Sequence, residues 1–596
     1  AGGAPPLDPK FSRRRFSATI LLRFRVAQTS LTGSRQISVL MPAALFNRNR
    51  DRKPATSAAA VGYSTIRRAG GGSSLMARSG RDRFLRRRAP NGDDRISALS
   101  DDLLLLVMRR LDTREALGAG MLSTRWACLS RELPALDFRV GDILPPRYHS
   151  WVLLHRDSEV TDLHYQLGTA KVDEVMTHIR RYERRAMRAL TSSVQSLLDA
   201  DVGRSRRVSR LRLEFFATHN TGRINRLVAK AIDAWEVHDL VAVAKSMYSQ
   251  SRNFHAFPSQ GICEEPRASH LQSLKLGGCA LPQLHEHRAL TVLVLQNTPQ
   301  STPDSAYEGI FASCPQLQVL HLICCRCKGF GDITVDAPKS EMMELVVDKC
   351  HFGRICLKAL PRLERLASLG TRVRFESNSF PCLGLCLGLR LEDVRQYFGP
   401  RLKLKLSLFL GNTPDITDLI LRFTGPDRWI VPSVSSPSPS LLPNLRRLLI
   451  ADVPWSWDVS WPRLLLETAP SLETLHIHIS PRSKEEEGEP RGDEISWQQP
   501  TMLGHHSLKD FVMVGFEGTD RQVYLVRFVI RVCSTALLHV AMYKKGHAQD
   551  KGHWDWEMVT QEQHSQWTDE EKDKTLMQIM NGIPSSSTAS PVIVFV

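Results

Sequence analysis

From Val208 onward the chain repeats a six-residue unit, apolar-x-x-apolar-x-apolar. Copies stand at Val208-Leu211-Leu213, Leu271-Leu274-Leu276, Leu290-Leu293-Leu295, Leu317-Leu320-Leu322 and Met342-Leu345-Val347. More follow at Ile416-Leu419-Leu421, Leu445-Leu448-Ile450, Leu472-Leu475-Ile477 and Leu508-Phe511-Met513, and a degraded copy starts at Leu363. From Leu271 to Leu363 successive starts are 19, 27, 25 and 21 residues apart. A step of 53 to Ile416 leaves room for a hidden copy near Leu383, and steps of 29, 27 and 36 complete the series. The last two apolar positions of each unit flank one residue, so they share one face of a short strand. Three residues beyond stand Cys279, Cys325 and Cys350, with Thr298, Thr424 and Ser480 in other copies. A thiol or hydroxyl there can satisfy backbone groups as the chain leaves the strand.

A helical period precedes the array. Ser100 before Asp101 and Asp102 is a helix-start signal, with a capping hydroxyl and two acids at the positive end of the dipole. Leu104, Val107, Met108 and Leu111 then share one helical face. Asp112-Thr113 restarts a helix, Gly118 and Gly120 loosen it, Ser123 caps a third segment carrying Trp126 and Leu129, and Pro134 stops it. Three short helices in about 45 residues make a unit too small to stand comfortably alone, so it is expected to lean on a partner. Residues 141–200 read as a helical connector, clearest from Val172 to Leu198.

Charge changes the picture only at the front. The formal charge of +17 invites a nucleic-acid partner, but residues 1–90 hold 17 Arg and 2 Lys against Asp8, Asp51 and Asp82. That segment accounts for +16, leaving the rest nearly neutral, so no basic face for DNA or RNA is expected. Its Arg- and Ser-rich composition predicts disorder or an organelle transit peptide. Met76-Ala77-Arg78-Ser79-Gly80-Arg81 would also serve as a start, which makes much of 1–75 a gene-model extension or a real tail. Arg83 to Arg88 could form a nuclear-import patch. No run of about 18 apolar residues occurs, so no membrane span is expected. Twelve dispersed Cys suit reduced thiols in the nucleus or cytoplasm.

The repeat spacing and its Cys or Thr position match leucine-rich repeats, which bury each strand only by stacking on neighbours. The helical unit and the array together resemble the plant F-box/leucine-rich-repeat proteins. The residues carrying this are Asp94-Arg95-Ile96-Ser97-Ala98-Leu99, Asp101-Asp102-Leu103-Leu104, Val107-Met108 and Leu111. Arg114-Glu115-Ala116, Leu122-Ser123-Thr124-Arg125-Trp126 and Leu133-Pro134-Ala135-Leu136-Asp137-Phe138 continue it. The resemblance covers about 94–540, with 508–543 similar to the family's closing domain. It implies an α/β leucine-rich-repeat solenoid preceded by a small all-α three-helix F-box. The expected boundaries are a disordered basic segment over 1–90, the F-box over 94–138, a connector over 141–204, repeats over 205–500, a closing domain over 501–545 and a tail over 546–596. It also implies a non-catalytic substrate receptor of an SCF-type ubiquitin ligase. Its partners would be a Skp-type adaptor, through it a cullin-RING core, and an unknown target protein, with no nucleic acid and no membrane. The sequence departs from the family at Ser100, where Pro is usual, at Ser130, where Trp is common, at Gly118-Ala119-Gly120, and at the apolar Leu105 and Leu106. If those departures abolish adaptor binding, the chain is a repeat scaffold with a degenerate F-box.

Adaptor contacts are expected at Leu99, Ser100, Leu104, Val107, Leu122, Ser123, Arg125, Trp126 and Leu129, several of which must also form the helical core. Trp455, Trp457 and Trp461 crowd a loop and are candidates for target binding or for packing on their own scaffold. No G-x-S-x-G, H-E-x-x-H or G-x-x-x-x-G-K-[ST] motif appears, so no catalytic residues and no cofactor are expected. Cys314, His321, Cys324, Cys325, Cys327, Cys350 and His351 suggest zinc, but the repeat pattern already accounts for Cys325 and Cys350, and no metal is expected. His476 and His478 share a strand face, most simply the exposed one, and Glu485 to Glu489 reads as a solvated loop.

Overall fold

The computed structural model describes residue 96 and residues 98–595, apart from internal segments of which 161–168, 391–403, 406–415, 432–441, 454–465, 480–503 and 545–566 are the longest. Three short helices open it: α1 (Asp101–Met108), α2 (Thr113–Ala119) and α3 (Thr124–Arg131). Strand β1 (Ala135–Arg139) follows, then the connector helices α4 (Pro146–Val160) and α5 (Thr169–Ala200). Along α5, Val175, Ile179, Met187, Leu190, Val194 and Leu198 are buried at steps of three or four, the stripe of a helix laid on a core. Glu183 sits in that stripe. It accepts from the Tyr148 hydroxyl at 3.1 Å and the Tyr248 N–H at 2.7 Å, tying connector to array. No helix among the described residues is long and apolar enough to cross a membrane.

The array then alternates strands with what covers them. Its first half runs β2 (Arg210–Phe216), α6 (Gly222–Trp235), β3 (Asp239–Lys245), β4 (Ser273–Gly277), β5 (Val292–Gln296), α7 (Asp304–Ser313) and β6 (Val319–Ile323). In the middle, strands alternate with strands: β7 (Ile333–Asp336), β8 (Glu344–Asp348), β9 (Arg354–Ala359), β10 (Arg365–Leu369), β11 (Arg372–Phe375), β12 (Leu383–Arg390), β13 (Leu404–Lys405), β14 (Ile416–Thr424), β15 (Ile430–Val431) and β16 (Arg447–Val453). The last part is β17 (Thr474–Ile479), β18 (Asp510–Val514), α8 (Asp520–Val532), β19 (His539–Tyr543), α9 (Asp569–Met580) and β20 (Val592–Phe595).

Fifteen of these strands form one parallel sheet in chain order, with β7, β9 and β11 set aside in a second sheet and β13 and β15 paired separately. The register puts the middle apolar position of every unit opposite its neighbour: Leu211, Leu240, Leu274, Leu293, Leu320, Leu345, Leu366, Leu385, Leu419, Leu448, Leu475, Phe511 and Val540. All are buried in one continuous core. The degraded copy at Leu363 is β10, and the hidden copy near Leu383 is β12. Two copies stand outside the series read from the sequence, Leu537-Val540-Met542 at β19 and one at β3. Val237, Leu240 and Ala242 are buried as a full unit in β3, but Ala242 is too small to announce it.

Six strands, β4, β5, β6, β8, β10 and β18, are left in the same way. Gly278, Asn297, Cys324, Lys349, Gly370 and Gly515 all have positive φ, and the next residue turns back beneath the sheet. At Gly278 a Cβ would sit 2.1 Å from the Ala244 carbonyl oxygen, so only glycine fits there. The residues that follow the first five of these turns form the expected ladder. The Cys325 thiol donates to Leu295 O of the preceding strand at 3.3 Å, and Cys350 donates to Leu322 O at 3.2 Å. Thr371 donates to Cys350 O at 3.2 Å. Thr298 accepts the Arg326 N–H at 3.1 Å. These side chains supply the partners that the turned backbone lacks. Thr424 lies in β14 with its side chain outside the described residues, as is all of Ser480.

Two stretches differ from the expected boundaries. Leu136 and Phe138, read with the helical unit, lie in β1, the first strand of the sheet, in register with Leu211 and Leu213 of β2. The expected tail carries α9, opened by a reciprocal capping box between Thr568 and Glu571, and β20, which extends the sheet beyond β19.

Candidate functional site

The helical unit is held by a small core of Leu104, Met108, Ala116, Trp126, Leu129 and Leu133, with Ile96, Leu99, Leu105, Leu111 and Ala119 packed around it. Capping explains where its helices begin. The Asp112 carboxylate accepts the Glu115 N–H at 2.7 Å, and the Ser123 hydroxyl accepts the Trp126 N–H at 3.3 Å. Ser100 occupies the cap position of α1, but its hydroxyl makes no capping bond, contrary to the sequence expectation. Arg125 anchors this end in another way. Its guanidinium donates to the Asp101 carboxylate at 2.6 Å and to Leu99 O at 2.5 Å, stapling α3 to the start of α1. Ser130 is buried, donates to Ala127 O at 2.9 Å, and packs where a Cβ on Gly120 would meet its hydroxyl at 3.0 Å. The two departures at 120 and 130 therefore fit each other.

The unit leans on the array. Arg206 donates to Ser130 O at 2.8 Å and pairs with Asp201, whose carboxylate also accepts the Trp235 indole N–H at 3.2 Å. The Asp137 N–H donates to the Thr113 hydroxyl at 2.7 Å.

Of the residues expected at an adaptor surface, Leu104, Trp126 and Leu129 are interior. Their work is to hold the helices together, and a rigid partner cannot reach them. Leu99 and Arg125 are half-buried, while Ser100 and Ser123 are exposed. Val107 and Leu122 are 37% and 63% exposed. The structure adds Leu103, Leu106 and Met121, exposed by 50%, 52% and 75%. Leu103, Leu106 and Val107 lie at i, i+3 and i+4, one stripe along α1 turned away from Leu104 and Met108. The signal was in the sequence. A run of six apolar residues from Leu103 to Met108 is more than one core face can use, so part of it must face outward.

A second candidate surface is the face of the main sheet opposite its core. There the register lines up Arg212, Val241, Lys275, Val294, His321, Val346, Ala367, Cys386, Ile420, Leu449 and His476. The row from Val346 to Leu449 is apolar and buried as a cluster of its own, and the residues before it are half-exposed. Ion pairs run beside it, Arg210 with Asp239 at 3.4 Å, Glu344 with Arg365 at 3.0 Å, and Asp418 with Arg447, and a His321 ring nitrogen hydrogen-bonds the Glu344 carboxylate at 2.7 Å. His476 and His478 lie on this face but are not solvated as expected. His478 is buried, with no hydrogen-bond partner on either ring nitrogen among the described residues. Burial pushes His476 down to about 4 and His478 down to about 3, the latter helped by His476 and Arg422. Trp455, Trp457, Trp461 and Glu485 to Glu489 lie outside the described residues. Among the described residues no three His, Cys, Asp or Glu side chains are grouped to hold a metal ion.

Comparison with known proteins gives this geometry a context. The chain is 21% identical over 467 residues to a putative F-box/LRR-repeat protein of Arabidopsis thaliana, a match spanning 74% of this chain and 89% of that protein. The chain is similar to plant F-box/leucine-rich-repeat proteins. A putative FBD-associated F-box protein of the same plant is 25% identical over 275 residues, covering 44% of this chain and 57% of the relative. An Arabidopsis F-box/FBD/LRR-repeat protein is 35% identical over 82 residues, 13% of this chain and 19% of the relative. No family model matches the chain. The F-box/LRR likeness and the in-register parallel sheet agree on a repeat protein.

Proposed function

We propose that this chain is the substrate-receptor subunit of an SCF-type E3 ubiquitin ligase. Residues 96–133 act as its F-box and the parallel array recognises a target protein. The observation carrying this reading is the outward apolar stripe Leu103-Leu106-Val107, with Met121 and Leu122, on a unit whose own core is complete without them. Exposed apolar side chains on so small a unit cost solubility unless a partner covers them. A Skp-type adaptor is the partner that the names of the F-box relatives suggest. The subunit then needs no catalytic residue, because holding target and ubiquitin-charged enzyme on one scaffold raises their effective concentration.

The test is binding of the purified full-length chain to a plant Skp-type adaptor by calorimetry. Replacing Leu106 and Val107 together by Asp is expected to weaken binding about 30-fold or more while leaving the helical circular dichroism unchanged. Absence of binding by the folded wild-type chain, or equal binding by the double variant, overturns the proposal.

A further inference from the structure

The ladder beneath the strand exits carries one arrangement that its structural role does not require. Successive rungs are Cys279, Thr298, Cys325, Cys350 and Thr371, so two thiols stand on neighbouring repeats only at 325 and 350. Their backbones run side by side, since the next residues, Arg326 and His351, form a parallel bridge. The Cys325 N–H donates to the Cys350 sulfur at 3.4 Å, which places the Cys350 sulfur beside the Cys325 backbone. Neighbouring strands are about 4.8 Å apart, within the Cα separation that a disulfide spans. Both residues are buried, and the loop that follows Cys325 is a surface loop with Phe330 exposed.

We infer that Cys325 and Cys350 form an oxidisable pair that closes into a disulfide across two repeats by exchange with a small disulfide such as oxidised glutathione. One cysteine thiolate attacks a glutathione sulfur, forming a mixed disulfide and releasing one reduced glutathione. The second cysteine attacks the protein sulfur of that mixed disulfide, closing the Cys325–Cys350 bond and releasing a second reduced glutathione. Two electrons and both thiol protons pass to the two glutathione molecules. The carbonyls of Leu295 and Leu322 lose their thiol donors, and a covalent bond replaces those hydrogen bonds as the tie between repeats. Burial pushes the Cys350 thiol well up, so exchange proceeds through local opening of the exit loops and is slower than reaction of the exposed Cys128.

The folded full-length chain would be incubated with oxidised glutathione, its remaining thiols blocked, and non-reduced peptides mapped by mass spectrometry. Cys350 lies between Lys349 and Arg354, so trypsin releases it on a short peptide. The expected product joins that peptide to the one ending at Arg326, lighter by two hydrogen atoms than the separate thiol peptides. It should persist in Cys324→Ser, revert with dithiothreitol, and vanish in Cys350→Thr, which keeps the residue type used at Thr298 and Thr371 and should melt like wild type. The inference is overturned if both thiols remain separately alkylatable, if the link disappears in Cys324→Ser, or if it forms only in denaturant.

Discussion

The helical unit and the array solve the same problem of burial on different scales. Six interior side chains hold the helices, and the unit borrows further anchoring from Arg206 and Asp137. The array buries one core that runs from Leu136 to Ile579, and each rung is supported by the rungs on either side. Loss of one side chain in the first case removes a large share of the total. In the second it is a local defect in a long stack, whose effect spreads only to nearest neighbours. Stability is thus concentrated where adaptor contact is proposed and distributed where target contact is proposed.

The largest test of that contrast is Trp235→Ala. This side chain is fully buried and also donates to Asp201, so the cost is about 3–5 kcal/mol. Hydrogen exchange should quicken over β2, β3 and the connector, while β17 to β19 stay protected. Leu104→Ala is expected to cost about 2–5 kcal/mol within the helical unit. The same measurement should show α1 to α3 opening with the array unchanged, and joint loss of protection in both would refute the division.

Acid separates the two regions by a different route. Residues 94–138 contain no His, whereas burial in the array holds His255 and His476 down to about 4 and His478 to about 3. These imidazoles stay neutral when folded, but in the unfolded chain they take protons as pH falls below about 6.5. Array stability should therefore be fully present above that value and be lost progressively as pH falls toward 4 and then 3. Replacing His476 and His478 by Gln should reduce the fall in unfolding free energy between pH 6.5 and 4, read from urea titrations, by about 1–3 kcal/mol. The smallest expected effect is at Thr298→Val. It removes the acceptor for Arg326 N–H and one of two partners of the Tyr307 hydroxyl, which still donates to Arg326 O, at about 1 kcal/mol, read from the exchange rate of the Arg326 amide.

Much of this was legible from spacing. Leu363 and Leu383 were placed as copies because the repeat length demanded them. The ladder residues were placed because a turned backbone needs a side-chain partner. What escaped follows from the same physics. The second sheet of β7, β9 and β11 is built from four- to six-residue strands such as Arg372–Phe375, too short and too charged for a period to register. His476 and His478 were placed on the right face, but a strand pattern says nothing of what covers that face. At α1 the apolar run identified a helix without saying which leucines point inward, so Leu104 was expected to serve both core and adaptor surface, and Leu103 and Leu106 were not named as contacts.

From Arg212 in β2 to His321 in β6 the in-register, half-exposed positions of the non-core face form a ruler. A partner lying across the strands meets a new side chain every ~4.8 Å, one from each repeat. Because alternate residues point to opposite faces, the graduation at Val294 or His321 can be rewritten without touching Leu293 or Leu320 beneath. Recognition can therefore be edited one mark at a time, while adding or deleting a whole repeat changes only the length measured.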